Sequence, residues 1–428
     1  MQRIIDRQGF RMLPVAAQAL SNRQDARWRQ RAAKVLPGGM TGHLNAAALP
    51  AGYPQFFERG QGCRVWDVDG NAYIDFMCSW GPNLLGHHHP QVDAAARRQQ
   101  ALGDCLNGPT PRLVELAERF VARSAHADWV LFQKNGTDAT TVSLMVARAA
   151  SGKRKVLVAA RAYHGSDPWC TPVSAGVTPE DRAHLIRYGY NDVASLDAAA
   201  DAAGNDLAAI VCAAFKHDLG VDQALPTPAF ARRARELCDK AGAALILDEV
   251  RAGYRVHASG SWETVGVRPD LSAWSKSIAN GYALAAVTGI DALRKAATRI
   301  YSTGSFWCGG VAMAAGLATL EIAETADVVS HVRRMGQRLR DGIEAQAARH
   351  GTPVRQTGPA ALPLILFDDD PGCDKGALFA TEALRHGVYM HPRHNMFLSL
   401  AHTGQDIDLA LHATDAAFAA VAARFGAR

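Results

Sequence analysis

Between residues 129 and 276, short continuous apolar stretches alternate with segments of helical periodicity. No other feature constrains the fold as strongly. WVLFQ (129–133), KVLVAA (155–160), LAAIVCAAF (207–215), AALILD (243–248) and LSAWSK (271–276) have the length and composition of strands buried on both faces. A helical pattern follows the first over 137–150, and another fills 230–241 ahead of the fourth. This order predicts an α/β fold, a mainly parallel sheet with helices on both faces. Leu113, Leu116, Ala117, Phe120 and Val121 fall at helical spacing and predict a core-facing helix before the first strand.

The two ends of the chain read differently. GQGCRVWDVDGNAYIDF (60–76) alternates about a DG turn and predicts an antiparallel hairpin. Ile407, Leu411, Phe418, Val421 and Phe425 predict a terminal amphipathic helix. The expected division is a large domain over 80–315, with 1–79 and 316–428 forming a smaller α+β domain. At 428 residues, 48% of them hydrophobic, the chain can fill both cores.

Net charge is +5, with Lys and Arg scattered and without a run of like charge, which argues against a nucleic-acid surface. No apolar run reaches membrane length. The N-terminal stretch MQRIIDRQGFRMLPVAAQAL has an apolar patch flanked by charge and no small-residue cleavage site. Eight isolated cysteines, without a CxxC pair, suit a reduced protein, so a cytoplasmic location is expected.

Ligands of open α/β sheets sit beyond the carboxyl ends of the strands. Four such ends are rich in functional groups. KNGTDAT (134–140) follows the first strand; its Asn135, Gly136 and Thr137 would open a helix whose N–H groups suit a phosphate. Taken alone, an ordinary N-cap turn explains NGT better. RAYHG (161–165) offers Tyr163, able to lie on an aromatic ring, and His164; a packed aromatic and a structural hydrogen bond are the plain alternatives. Asp248 ends a buried strand and needs a partner there, either a pyridinium nitrogen or an arginine such as Arg251. Lys276 follows an apolar strand, where partial burial would favour the free amine; a surface lysine is the alternative. The set, more than any member, points to pyridoxal 5′-phosphate. His87, His88 and His89 precede a proline and read as a turn rather than a metal site, and no metal is expected. GQG at 60–62 lacks the third glycine of a dinucleotide fingerprint, which disfavours a nicotinamide oxidoreductase.

Ordered motifs along most of the chain resemble the class III (fold-type I) pyridoxal-phosphate-dependent aminotransferases, in the branch of glutamate-1-semialdehyde aminomutase. They are LPGGMTG (36–42), VWDVDGNAYIDF (65–76), SWGPNLLGHHHP (79–90), KNGTDAT, AYHG, LDEVRAGYR (247–255), WSKSIANGY and AMAAGLATLE (312–321). Within the family, YPQFF (53–57), YHGSDPWCTP (163–172), TGSFW (303–307) and HPRHNMFLSLAHT (391–403) are most similar to the fumonisin aminotransferases.

The resemblance implies that Lys276 carries the cofactor as a Schiff base and Asp248 partners the pyridine nitrogen. It also implies that Val250 and Tyr163 pack on the ring faces and that Gly136 and Thr137 cup the phosphate. Ser305 falls where the family has a threonine reaching the phosphate across a homodimer interface, and Trp80 falls near the substrate pocket. IVCAAFKHDLG (210–220) lacks the acidic residue common in the family, which bears on substrate preference. The implied reaction is ping-pong transamination from a hydrophobic or carboxylate-free amine to a keto acid such as pyruvate, with Lys276 moving the proton. A 2,1-aminomutase is the alternative, and a non-catalytic cofactor binder is disfavoured by the presence of both Lys276 and Asp248. Arg393, in HPRHNMFLS, is a candidate gate that would bind the keto-acid carboxylate and swing aside for an apolar amine; a solvated loop arginine is the plainer reading.

Overall fold

The computed structural model describes residues 20–427. Most of the N-terminal apolar patch lies outside them. Near the N-terminus, strands β1 (Phe57–Gln61), β2 (Arg64–Asp67) and β3 (Ala72–Asp75) form an antiparallel meander. The expected hairpin is its β2–β3 half, turning at Asp69–Gly70, where Gly70 takes φ +85°.

The main sheet follows. It contains β4 (Trp129–Gln133), β5 (Lys155–Ala159), β6 (Leu185–Tyr188), β7 (Leu207–Ala213), β8 (Ala244–Asp248), β9 (Leu271–Trp274) and β10 (Ala285–Gly289). Their order is β4-β10-β9-β8-β7-β5-β6, and β10 alone runs antiparallel to its neighbours. The five apolar stretches read from the sequence are β4, β5, β7, β8 and β9. Sequence reasoning missed β6 and β10. The central strands β7 and β8 are buried at every position, as a parallel sheet covered on both faces requires.

Helix Gly136–Ser151 packs Val142, Val146 and Ala147 on one face of the sheet, against Val156, Val211 and Ile246. Helices Val193–Ala203 and Pro228–Ala241 cover the other with Leu196, Phe230 and Leu237. The helix expected around Leu113–Val121 is Pro111–Arg123; it buries Leu116 and Phe120.

The C-terminal part contributes β11 (Val354–Gln356), β12 (Ile365–Phe367) and β13 (Val388–Tyr389). The last pairs in parallel with β3, so one four-stranded sheet, β1-β2-β3-β13, draws on both ends of the chain. The terminal helix Gly404–Phe425 starts at a capping box of Thr403 and Asp406 and buries Ile407, Phe418 and Val421, while Phe425 is exposed. Among the described residues no helix is long and apolar enough to cross a membrane.

Candidate active site

A cleft of about 480 Å³ opens at the carboxyl ends of β4, β8 and β9. Each strand delivers one functional group to it. After β4, Asn135 caps helix Gly136–Ser151 by accepting the Asp138 N–H at 3.0 Å. The N–H groups of Gly136 and Thr137 begin that helix and have no acceptor within it, so the helix end turns partial positive charge toward the cleft. Glycine at 136 leaves room for Val250, because a Cβ there would stand 2.8 and 3.0 Å from its methyls.

After β5, Tyr163 lies half-exposed along the cleft and His164 turns inward, almost wholly buried. His164 Nδ1 lies 2.7 Å from Asp248 Oδ2, and the ring stacks beside Trp169. His164 Nε2 is buried without a partner among the described residues. Asp248 Oδ1 accepts the Val250 N–H at 3.0 Å. The carboxylate at the end of β8 is thus held by a histidine and a backbone amide rather than by Arg251.

β9 ends at Trp274, two residues sooner than the sequence suggests. Lys276 stands just beyond, in a 3-10 turn with φ +30°. A lysine in the left-handed region is uncommon and is held there by its surroundings. Its Nζ donates to the Trp80 carbonyl at 2.8 Å. Burial lowers the Lys276 amine from 10.5 to about 7, and the neighbouring Arg251 and Arg255 charges push the same way against Asp248. An amine lowered this far loses its proton more readily, which suits nucleophilic attack on a carbonyl.

Three arginine and tryptophan positions complete the picture. Arg251, three residues after Asp248, lines the cleft and donates to Asn395 Oδ1 at 2.5 Å. The candidate gate Arg393 does not reach this cleft: it is exposed and lines a separate cavity with Gly220, Asp370 and Cys373, because its loop is tied down by Gly220 N–H to Arg393 C=O at 2.9 Å. The cleft arginine is Arg251, which sequence reasoning weighed only as a structural partner of Asp248; its position three residues after a site carboxylate was the available signal. Trp80 gives its carbonyl to Lys276, while its ring lines a second, largely apolar cavity of about 600 Å³ with Met40, Leu44, Phe57 and Tyr389. Around that ring stand His43, His394 and His391, at 4.8, 5.0 and 5.5 Å between centroids. His217, half-buried in the cleft wall and lowered well below the usual imidazole range by desolvation and by the Arg251 charge, also went unnoticed in the sequence.

Ser305 is exposed and is not among the residues lining the cleft within one chain. Its segment runs beside the cleft mouth, since Gly309 sits against Asp104 and the Lys134 ammonium, and Lys134 lines the cleft. The three consecutive histidines turn to different partners: His87 pairs with Asp75 at 2.8 Å and His88 with Asp93, and among the described residues no three His, Cys, Asp or Glu side chains converge.

The family model for class III aminotransferases matches residues 48–413. Over 393 residues the chain is 48% identical to the aminopentol aminotransferase of Sphingopyxis macrogoltabida, covering 92% of this chain and 93% of that protein. Glutamate-1-semialdehyde 2,1-aminomutase 2 of Brevibacillus brevis is 32% identical over 406 residues, 89% of this chain and 94% of that one. Among solved structures, the FumI protein of Sphingopyxis sp. MTA144, in its PLP internal aldimine form, superposes with a TM-score of 0.93 at 48% identity, covering 94% of this chain and 97% of that one. With the match spanning both sheets and the whole cleft, this chain belongs to the class III aminotransferases.

Proposed function

We propose that the chain holds pyridoxal 5′-phosphate in the Lys276 cleft and moves an amino group from a hydrophobic, carboxylate-free amine to a keto acid such as pyruvate. One observation carries the reading: a half-buried lysine, its amine lowered by desolvation, faces a carboxylate–histidine pair and an open helix N-terminus across a single cleft. The residues fit the cofactor. Gly136 and Thr137 offer N–H groups to its phosphate, with Asn135 fixing the turn. Tyr163 and Val250 offer two faces to a flat ring. Asp248, held by His164 and the Val250 N–H, would partner the pyridine nitrogen. The unpartnered His164 Nε2 leaves a second polar group behind that carboxylate.

Bound there, the cofactor supplies a carbonyl that takes up amines and a ring that withdraws electrons from the carbon losing its proton. The protein does the rest. Lys276 would hold the cofactor covalently, and its amine is placed to move a proton at the substrate carbon. Asp248 would partner the ring nitrogen. Arg251 takes the keto-acid carboxylate and is left to Asn395 when an apolar amine occupies the site. The second cavity, walled by Trp80, receives the hydrophobic part of the donor.

The active form is read as a homodimer in which Ser305 of the partner subunit reaches the phosphate. Exposed Leu102, Leu106, Tyr301 and Phe306 beside the cleft support a covered face there. The division into a large domain over 80–315 and a smaller one from 1–79 and 316–428 is supported by the sheet shared between the ends. All eight cysteines are free, which suits a cytoplasmic setting.

The test is a panel of amines, with and without a carboxylate, assayed with pyruvate. Aminopentol, the donor in the name of the 48% identical relative, comes first. Turnover of carboxylate-free donors supports the proposal. Conversion of glutamate 1-semialdehyde without a keto acid would favour the aminomutase reading.

A further inference from the structure

Arg255 is 1% exposed, yet among the described residues only one of its nitrogens has a protein acceptor: Nη2 donates to the Gly81 carbonyl. Nε and Nη1 are buried with no partner, and among the described residues no carboxylate pairs with it. A guanidinium does not give up its proton under physiological conditions. The fold therefore keeps an uncompensated positive charge in its interior, a costly arrangement unless the charge has a use.

Its location gives it one. Gly81 follows Trp80, whose carbonyl accepts a hydrogen bond from Lys276 Nζ, and a Cβ on Gly81 would lie 3.1 Å from Lys276 Cδ and 2.8 Å from the Phe397 ring. Arg255 sits over that same ring at 5.2 Å. Arg255 and Lys276 thus close around one glycine and one phenylalanine, both shielded from water. Other groups facing Lys276 are Asp248, the one nearby anion among the described residues, and Arg251, with the exposed His43 and the half-buried His217 and His394, whose imidazoles are all lowered by desolvation and by neighbouring positive charge. Asp75, the carboxylate on the Arg255 side, is taken by His87 and the Met77 and Cys78 N–H groups.

We propose that Arg255 is a positioning residue whose buried, unpaired charge holds Lys276 in its free-amine form through both halves of the reaction. Arg251 cannot do this throughout, because a bound keto-acid carboxylate would neutralise it. Arg255 is sealed behind Gly81 and keeps its full effect in both half-reactions. The inference rests on Lys276 being the cofactor lysine.

The experiment compares the wild type with Arg255→Gln, Arg255→Met and Arg255→Lys as full chains loaded with pyridoxal 5′-phosphate. The visible absorbance band is titrated with pH, and the rate of cofactor capture by the stripped chains is followed over the same range. Gln keeps a donor for Gly81 and drops the charge, so it remains informative if Met fails to fold. Gln, and Met where folded, should move both midpoints up by about one pH unit, a roughly fivefold slower capture at neutral pH. Lys, whose ammonium can shed its proton when buried where a guanidinium cannot, should move them the same way and no further than Gln. Unmoved midpoints in Gln, or a larger displacement in Lys than in Gln, overturn the proposal. A Lys276→Ala chain that captures the cofactor as the wild type does would instead overturn the functional reading beneath it.

Discussion

Replacing Gly136 by alanine tests the floor of the cleft with one methyl group. The added Cβ would meet Val250 Cγ1 at 2.8 Å and Cγ2 at 3.0 Å, closer than carbon atoms pack. Gly136 is the first residue of its helix and its φ is not in the left-handed region, so the backbone itself tolerates alanine. Inserting a methyl into a packed contact costs about 1–3 kcal/mol. Better helix propensity returns at most about 1 kcal/mol, and less at a first position than inside. Stability without cofactor should therefore fall only slightly, by roughly 0–2 kcal/mol. Cofactor affinity gets no such compensation, because Val250 can yield only into the space proposed for the ring. The full clash should then appear as a weakening of roughly 5- to 100-fold, at 1.4 kcal/mol per decade. Fluorescence titration of stripped protein with pyridoxal 5′-phosphate measures this, and thermal denaturation measures the other term. Val250→Ala removes both methyls, so the double variant should bind as Val250→Ala alone does. A Gly136→Ala chain binding within twofold of the wild type refutes the reasoning, and so does a loss that survives in the double variant.

Lys276→Ala should abolish turnover while leaving the circular dichroism spectrum unchanged; activity above background in the purified variant would remove Lys276 from the mechanism. Since the folded amine lies at about 7 against 10.5 unperturbed, the unfolded chain binds more protons between those values. Stability of the cofactor-free protein should accordingly rise with pH across that window in urea denaturation, with a smaller slope in Lys276→Met. Ser305→Ala should weaken cofactor retention by roughly 1.5–3 kcal/mol, the worth of a hydrogen bond to a charged group; sedimentation showing a fully active monomer would refute the dimer. Arg251→Gln should raise the KM for pyruvate at least tenfold and leave that for a carboxylate-free amine nearly unchanged, whereas Arg393→Ala should change neither in steady-state assays.

What could be read from the sequence was what local pattern encodes. β7 and β8 are apolar throughout because both faces are covered, and so they stand out. β6 did not, since LIRY is an edge strand of four residues with an exposed arginine. β10 did not either: AAVTG is alanine- and glycine-rich, and it is a strand because β4 and β9 lie on both sides of it. The cleft divides along the same line. Lys276, Asp248 and His164 sit at strand ends or beside them and were legible. The left-handed φ of Lys276 was not, because no glycine marks it. Arg251 and Arg393 look alike in sequence. Only the turn after β8 and the Gly220 contact put one in the cleft and the other outside it.

The pairing of β3 with β13 sets a timetable for synthesis. Val388 meets Ile74 more than three hundred residues downstream, and Phe397, which packs against Gly81 beside Lys276, emerges later still. At roughly 5–20 residues per second, a ribosome that has finished β3 needs tens of seconds more before its partner strand appears. During that interval the β1–β3 meander has an open edge and a bare apolar face, the kind of surface that chaperones bind and that aggregates when left alone. The central sheet, whose strands arrive nearly in sequence, can form without waiting. Nascent chains halted before residue 388 should therefore protect β4–β10 from proteolysis while the meander is cut.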